Sequence, residues 1–393
     1  MLASSVIIVL VAAAPALPEG GPDQDGLRMR AEATVAQVRD DGLAPPDGSL
    51  AEPLLTRLSP QLLVTYGGPR LTLLSSAAVD AELVDAHPER SSPWTRRTAA
   101  LQLHAVATER LTFSAGASYW DTPTPRDLAL VTGFDPGRVE LQTLQADSGI
   151  GWRLTKVSDA TAAWSINRTI QQGLTIDTQL FEPGLRGRLD DRDLVRFDVR
   201  VRSIRFLDHF STRSVAPMLG WERQLIPQLS LALEGGPRLT DGSLDELEAA
   251  ASLQLETRPV RAVLAYARSQ SAVPGLIGAL NVQSLSATAL APVREKLMLN
   301  ASASIFSSVG APLDVTVYQL GAGLTWQLQD SMAAALTWRH AWQSEVRGPE
   351  PPGVTGHDVL VIALTLGAMV RRERQPGVDK DPGPVDGPEV EQP

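Results

Sequence analysis

The chain reads as an all-β protein, a transmembrane antiparallel up-and-down β-barrel of about 18 strands (16–18). Three observations predict this. Apolar and polar residues alternate with a period of two in segment after segment. The connections between segments alternate between short turns and mostly longer stretches. Large aromatics gather near the segment ends.

The alternation is clearest in Leu194 to Phe206, LVRFDVRVRSIRF. Val195, Phe197, Val199 and Val201 share one face; Arg196, Asp198, Arg200 and Arg202 share the other. A soluble sandwich would turn the apolar face to a core and the charges to water. A barrel would turn the apolar face to lipid and the charges to a wet lumen. One strand fits both, so the remaining segments decide.

The 393 residues are 43% hydrophobic, 20% charged and 5% aromatic. That is too apolar for a disordered chain, and past the first residues no apolar run is long enough for a transmembrane helix. The net charge of −10 argues against nucleic-acid binding. Only Lys156, Lys296 and Lys380 are lysines among 35 basic residues, a bias we ascribe to genome composition. With no cysteine, disulfides, zinc–thiolate sites and thiol catalysis are excluded.

Residues 1–16, MLASSVIIVLVAAAPA, read as a signal peptide: an apolar stretch from Val6 to Ala14, then Ala14-Pro15-Ala16. Its n-region has no Lys or Arg, and a short buried helix is the alternative. Residues 17–29 read as a flexible leader and 30–371 as the barrel. Residues 372–393, rich in Pro, Gly and acids, read as a disordered periplasmic tail.

Within the barrel the expected strands run in order. Arg30–Asp40 alternates poorly, and Gly42–Pro60, with four prolines, reads as a loop before Leu62–Tyr66. Gly67-Gly68-Pro69 turns the chain into Arg70–Val84. Arg97–Ala107 and Leu111–Tyr119 follow; the latter sets Leu111, Phe113, Ala115, Ala117 and Tyr119 against Thr112, Ser114, Gly116 and Ser118. Val139–Leu154 places Asp147 and Arg153 opposite Leu144, Ile150 and Trp152. Then come Ala160–Ile170, Leu174–Leu189 (interrupted by Pro183-Gly184), Leu194–Phe206, Ser211–Gln224, Leu229–Leu239, Glu246–Glu256 and Val260–Ser269. Asn281–Ala291, Lys296–Ser308, Val315–Leu328, Met332–Ser344 and Asp358–Val370 complete the set.

Short turns fall near Gly67, Glu109, Val157, Asp191, Pro227, Arg258, Arg294 and Gln329. Longer connections include Gly42–Pro60, Asp85–Thr95, Trp120–Gly137, Gln270–Leu280 and Glu345–His357. An even strand count puts both termini at the short-turn rim, the periplasmic side of a bacterial outer-membrane barrel. Tyr66, Trp152, Trp221 and Trp326 lie close to the short turns, and Tyr119, Trp120, Phe206, Phe306 and Trp342 toward the longer ones. Two membrane-interface belts would look like this, although large aromatics also fill cores.

No catalytic, cofactor or metal constellation is visible. The five histidines lack metal-ligand spacing, and there is no GxSxG elbow or phosphate loop. Glu246 and Glu248 share a strand face, but read as lumen-facing or solvated charges. Asp190–Asp193 is an acidic turn without EF-hand spacing. What remains are lumen-lining candidates: Arg196, Asp198, Arg200, Arg202, Asp147, Arg153 and Glu248. A mixed-charge wall suits hydrated solutes or a polysaccharide, though any wet lumen needs polar residues. The protein is not expected to be an enzyme.

The phrasing of GGPRLTLL, GWRLTKVSDATAAW and GWERQLIPQLSLAL resembles outer-membrane β-barrel proteins of Gram-negative bacteria. The strand count is similar to that of stand-alone, porin-like barrels of about 18 strands proposed for polysaccharide export. The resemblance implies outer-membrane lipid and the barrel-assembly machinery as partners, with a periplasmic polysaccharide-export protein as a further one. The final strand lacks a terminal aromatic, so any assembly signal is expected to be internal. Passage of a surface or secreted polysaccharide is the leading expectation. A general diffusion porin and a structural or adhesive barrel are the alternatives.

Overall fold

The computed structural model describes residues 26–40, 54–84, 92–122, 140–171, 173–207, 210–257, 259–272, 278–309, 314–346 and 353–373. The signal-peptide reading, most of the leader and nearly all of the acidic tail lie outside these residues.

Eighteen strands form one sheet. They are β1 (Gly26–Asp40), β2 (Leu54–Gly67), β3 (Leu71–Val84), β4 (Ser92–Thr108), β5 (Leu111–Thr122), β6 (Leu141–Arg153), β7 (Ser158–Gln171), β8 (Leu174–Arg188) and β9 (Asp193–Phe206). The others are β10 (Phe210–Ile226), β11 (Leu229–Thr240), β12 (Ser243–Glu256), β13 (Arg261–Ala272), β14 (Ala279–Arg294), β15 (Leu297–Val309), β16 (Asp314–Gln329), β17 (Met332–Val346) and β18 (Gly353–Glu373). Each strand pairs antiparallel with the next in sequence, as β1 does with β2 and β17 with β18. β1 also pairs with β18, from Gly26↔Glu373 to Asp40↔Val359, and this ladder closes the ring. The fold is a closed 18-stranded antiparallel up-and-down barrel, as expected from the sequence.

Most strands run a few residues past their expected ends. β1 begins at Gly26, inside the expected leader, because residues 26–29 pair with both β2 and β18. β2 begins at Leu54 and takes in Pro60, which the sequence reading had placed in a loop. Proline lacks an amide hydrogen. The β2–β3 ladder accordingly passes from Leu58↔Ala81 to Gln61↔Ala78, while the β1 ladder continues unbroken past Ala33↔Pro60. Pro183 acts the same way in β8, which is therefore continuous along β7 and broken only toward β9.

The two rims differ, with an exception. Gly26, Gly67 and Glu373 meet at the short-turn rim, so β1 starts and β18 ends there. At the opposite rim the connection between β5 and β6 is long, but those at 172–173, 207–209 and 241–242 are tight. These tight hairpins cluster in one sector, β7–β12, which breaks the expected alternation of lengths. The sequence had a signal for the last of them. Asp241 and Gly242 both adopt positive φ, 50° and 87°, the two-residue turn that Asp-Gly favours because its twist matches the flanking strands. At the other rim, Asp190 Oδ1 accepts the amide hydrogens of Arg192 and Asp193, both at 2.7 Å. Those bonds hold its carboxyl below the usual carboxylate range.

β10 and β11 approach unusually closely around Pro217 and Gly236. Their ladder is interrupted between Val215↔Leu239 and Leu219↔Gly235. A Cβ on Gly236 would run into the carbonyl oxygen of Pro217, a backbone atom that cannot rotate away. Gly236→Ala should therefore lower the stability of the folded barrel by about 1–3 kcal/mol. Urea unfolding in lipid vesicles measures this; an unchanged midpoint would show that the two strands part freely.

Candidate functional site: a two-tier lumen with a charge network

Period two divides every strand into outward and inward residues. The outward face is apolar and exposed, as with Val201 and Phe197 of β9, Leu336 and Trp338 of β17, and Leu360, Ile362, Leu364 and Leu366 of β18. Such a face is stable only in lipid, and the β1–β18 ladder closes the ring that presents it. Tyr66, Trp152, Trp221, Trp326, Tyr119 and Trp342 lie at outward positions. Three make polar or ring contacts: Trp221 Nε1 donates to Asp193 at 2.8 Å, Tyr119 Oη to Asp121 at 3.3 Å, and Trp342 meets His340 edge-on at 4.2 Å. Phe206 departs from the expectation. It is 1% exposed and sits on the inward face of β9 with Ile204, packed on Ile176 of β8. Trp120 and Phe306 also fall on inward positions. Grouping near strand ends marked aromatics at the rim, but face depends on parity within each ladder, and for Phe206 that parity is even, like Arg196.

The inward face has two tiers. Toward the short-turn rim it carries hydroxyls, amides, charges and glycine: Thr112, Ser114, Gly116, Asp147, Arg153, Asn300, Ser302 and Gly323 among others. Glycine there makes room for its neighbour; a Cβ on Gly116 would lie 2.5 Å from Asp147 Oδ1. Toward the other rim parts of the inward face turn apolar and buried, beside buried polar residues such as Asp80, Glu82, Thr122 and Gln343. Ala36, Val38 and Leu55 form one cluster with Val84, Val359 and Val361. Phe306, Val315 and Val317 form a second, and Ile176, Ile204 and Phe206 a third. Sequence reasoning missed these clusters, since it sought polar inward residues; the signal was that inward positions turn apolar at one end of β1, β9 and β16.

Between the tiers, in the sector β8–β14, lies a charge network. Its first members come from β9, where Arg196, Asp198, Arg200 and Arg202 point inward together. Arg196 and Arg200 both bridge to Glu234 of β11. Arg200 also donates to Glu182 of β8 at 2.7 Å, and Arg202 to Glu248 of β12 at 2.6 Å. Arg238 of β11 lies 3.7 Å from Glu248, and Asp198 3.4 Å from Arg196. Arg268 donates to Glu246 at 2.7 Å. Five arginines thus face five carboxylates. The two glutamates that share a face of β12 have different arginine partners, so they do not act as a carboxylate pair.

Geometry explains how β9 reaches over β10 to β11 and β12. The inward residues of β10 are Ala216, Met218 and Gly220, none of which stands in the way. A Cβ on Gly220 would lie 2.6 Å from Arg196 Cγ, so the arginine stem lies flat across that glycine. The bridging side chains in turn bury Ala216 and Met218 to 2% and 1% exposure. Of the remaining lumen candidates, Asp147 and Arg153 lie on β6, and no contact joins them to this network. A second inward cluster, Arg57, Asp80, Glu82 and Arg96, sits on β2–β4, with Arg57–Glu82 and Arg96–Asp80 both at 2.7 Å. Among the described residues no group of three potential metal ligands occurs.

No family model matches the chain, and no curated protein matches it. Among solved structures it is similar to OccAB4 of Acinetobacter baumannii, at 11% identity over 88% of this chain and 100% of that one, with a TM-score of 0.46. It is also similar to the outer membrane protein OpdK of Pseudomonas aeruginosa (11%, 88% and 99%, 0.46) and to the siderophore receptor PirA of the same organism (10%, 88% and 81%, 0.43).

Glu248 is fully buried between arginines. Glu248→Ala should cost about 3–5 kcal/mol, because it strands buried positive charge; Glu248→Gln, which keeps two hydrogen-bonding atoms, should cost less. Urea titration of both variants reads this directly. Equal, small effects would mean the arginines find water instead.

Proposed function

We propose that the protein is a channel of the bacterial outer membrane that passes hydrated polar material, with both ends of its strand ring facing the periplasm. The cargo we favour is a surface or secreted polysaccharide, delivered by a periplasmic export protein. The observation carrying this is the inward face of the short-turn half: hydroxyls, amides and glycine from Thr112, Ser114, Asn300, Ser302 and Gly323, beside charges that are largely neutralised in pairs. A neutral, hydroxyl-rich polymer can exchange its water for such a wall without meeting a strong net field. A ring of 18 strands is wide enough for an aqueous passage. No nucleic acid and no catalytic step enters this reading.

A general diffusion porin is the second reading. It is favoured by all the described elements being strands of one sheet, with no separate domain among the described residues to fill the lumen.

Single-channel recording of the purified full chain in planar bilayers separates the two. The export reading expects brief, small openings with a cation-to-anion permeability ratio near one, interrupted by added neutral oligosaccharide. A large, steady conductance indifferent to oligosaccharide would overturn it in favour of the porin.

A further inference from the structure

The ladder between β12 and β13 is shorter than either strand. It runs from Glu256↔Arg261 to Ala249↔Arg268 and stops. Yet β12 continues beside β11 as far as Ser243, and β13 continues beside β14 as far as Ala272. Beyond Arg268, β13 has parted from β12, while β14 stays paired with β15 as far as Asn281↔Val309.

The contacts of the β13–β14 hairpin tip show where it goes. Arg268, Gln270 and Ala272, with Ala279 and Asn281 across the hairpin, occupy the face that turns outward lower on the same strands. There Leu264 is 46% exposed. At the tip this face meets the inner wall of the opposite strands. Arg268 donates to Glu246, and Asn281 donates to Glu246 at 2.9 Å while accepting from Arg238 at 2.6 Å. Ala272 and Ala279 pack on Ile176, Ile204 and Phe206. Gln270 on this face is 7% exposed, and Leu280 on the reverse face 1%. A wall strand must show one face to lipid, yet on this tip Gln270 on one face and Leu280 on the other are both buried. It lies in the lumen.

We infer that the β13–β14 tip is the gate of the channel, seated against β8–β12 in the closed state. This inference rests on the channel reading above. The seat consists of side-chain contacts alone: the Glu246 latch, the Arg238–Asn281 bond and the apolar cluster. Gln270 Oε1 is buried there with no hydrogen-bond partner among the described residues, which weakens the seated state. The tip also has a second place to go. Continuing the β12–β13 register would set Gln270 opposite Leu247, and the two edges would form backbone hydrogen bonds in place of the latch. Two alternative packings of one element make a switch, and the move clears the lumen as it completes the wall.

The natural absence of cysteine lets two thiol pairs test the two positions in the full chain. Ile204→Cys with Ala279→Cys joins the seated tip; Leu247→Cys with Gln270→Cys joins the tip to the wall, at the separation of directly opposed residues. Both pairs should link in the folded protein with a short bifunctional thiol reagent. In planar bilayers the first link should remove current, and the second should hold the channel open. Glu246→Gln, unlinked, should raise the open fraction on the order of tenfold. Failure of the first pair to link, or linking that leaves a conducting channel unchanged, overturns the gate alone. Links that form while no variant carries current, the wall-joined one included, overturn the channel reading and the gate with it.

Discussion

Everything in this molecule depends on one constraint: in hydrocarbon, each backbone amide and carbonyl must be satisfied by the protein itself. An open sheet cannot do this, because its two edge strands face lipid unpaired. The long β1–β18 ladder removes both edges. It also explains why β1 and β2 run past their expected ends, since a strand must be as long as the ladders on both sides of it. Prolines survive only where one neighbour can release a bond, as Pro60 and Pro183 do.

Closure then fixes what each side chain meets. Outward residues meet lipid, and the outward positions of β8–β10 are accordingly filled by Phe181, Leu185, Phe197 and Leu219. Inward residues meet one another across a curved wall. That curvature lets Arg196 and Arg200 of β9 reach Glu234 two strands away, over an intervening strand kept low by Ala216 and Gly220. A buried charge is costly alone and tolerable in a network that pairs it. The β8–β14 sector holds such a network, and the tight hairpins at 172–173, 207–209 and 241–242 fall in or beside the same sector. The cross-braced wall provides a surface against which the β13–β14 tip can rest.

The fold and the inward position of the charged residues could be read from the chain, because both follow from a period of two and from turn chemistry, which are local. Arg196, Asp198, Arg200 and Arg202 had to share a face once they lay on one strand, and the outward positions of Trp152 and Trp326 follow from the same rule. Partner choice is not local. That Glu248 would serve Arg200, Arg202 and Arg238, while Asp147 would lie apart from them, depends on how far the wall bends between β9 and β12.

The sequence by itself therefore pointed to a barrel of about 18 strands (16–18), to the alternating faces and to the rim at which the strand ring begins and ends, since each rests on consecutive residues. Tertiary structure alone decided that three apolar clusters gather toward one mouth and that Arg268 and Asn281 turn to an inner wall instead of lipid, whereas the lumen-facing side of Phe206 follows from the parity it shares with Arg196. The reason is the same in each case: parity gives a side chain its face of the sheet, but only the course of the sheet through space says what that face looks upon. Where β13 parts from β12 at Arg268, an outward residue becomes an inward one without any change in its sequence pattern.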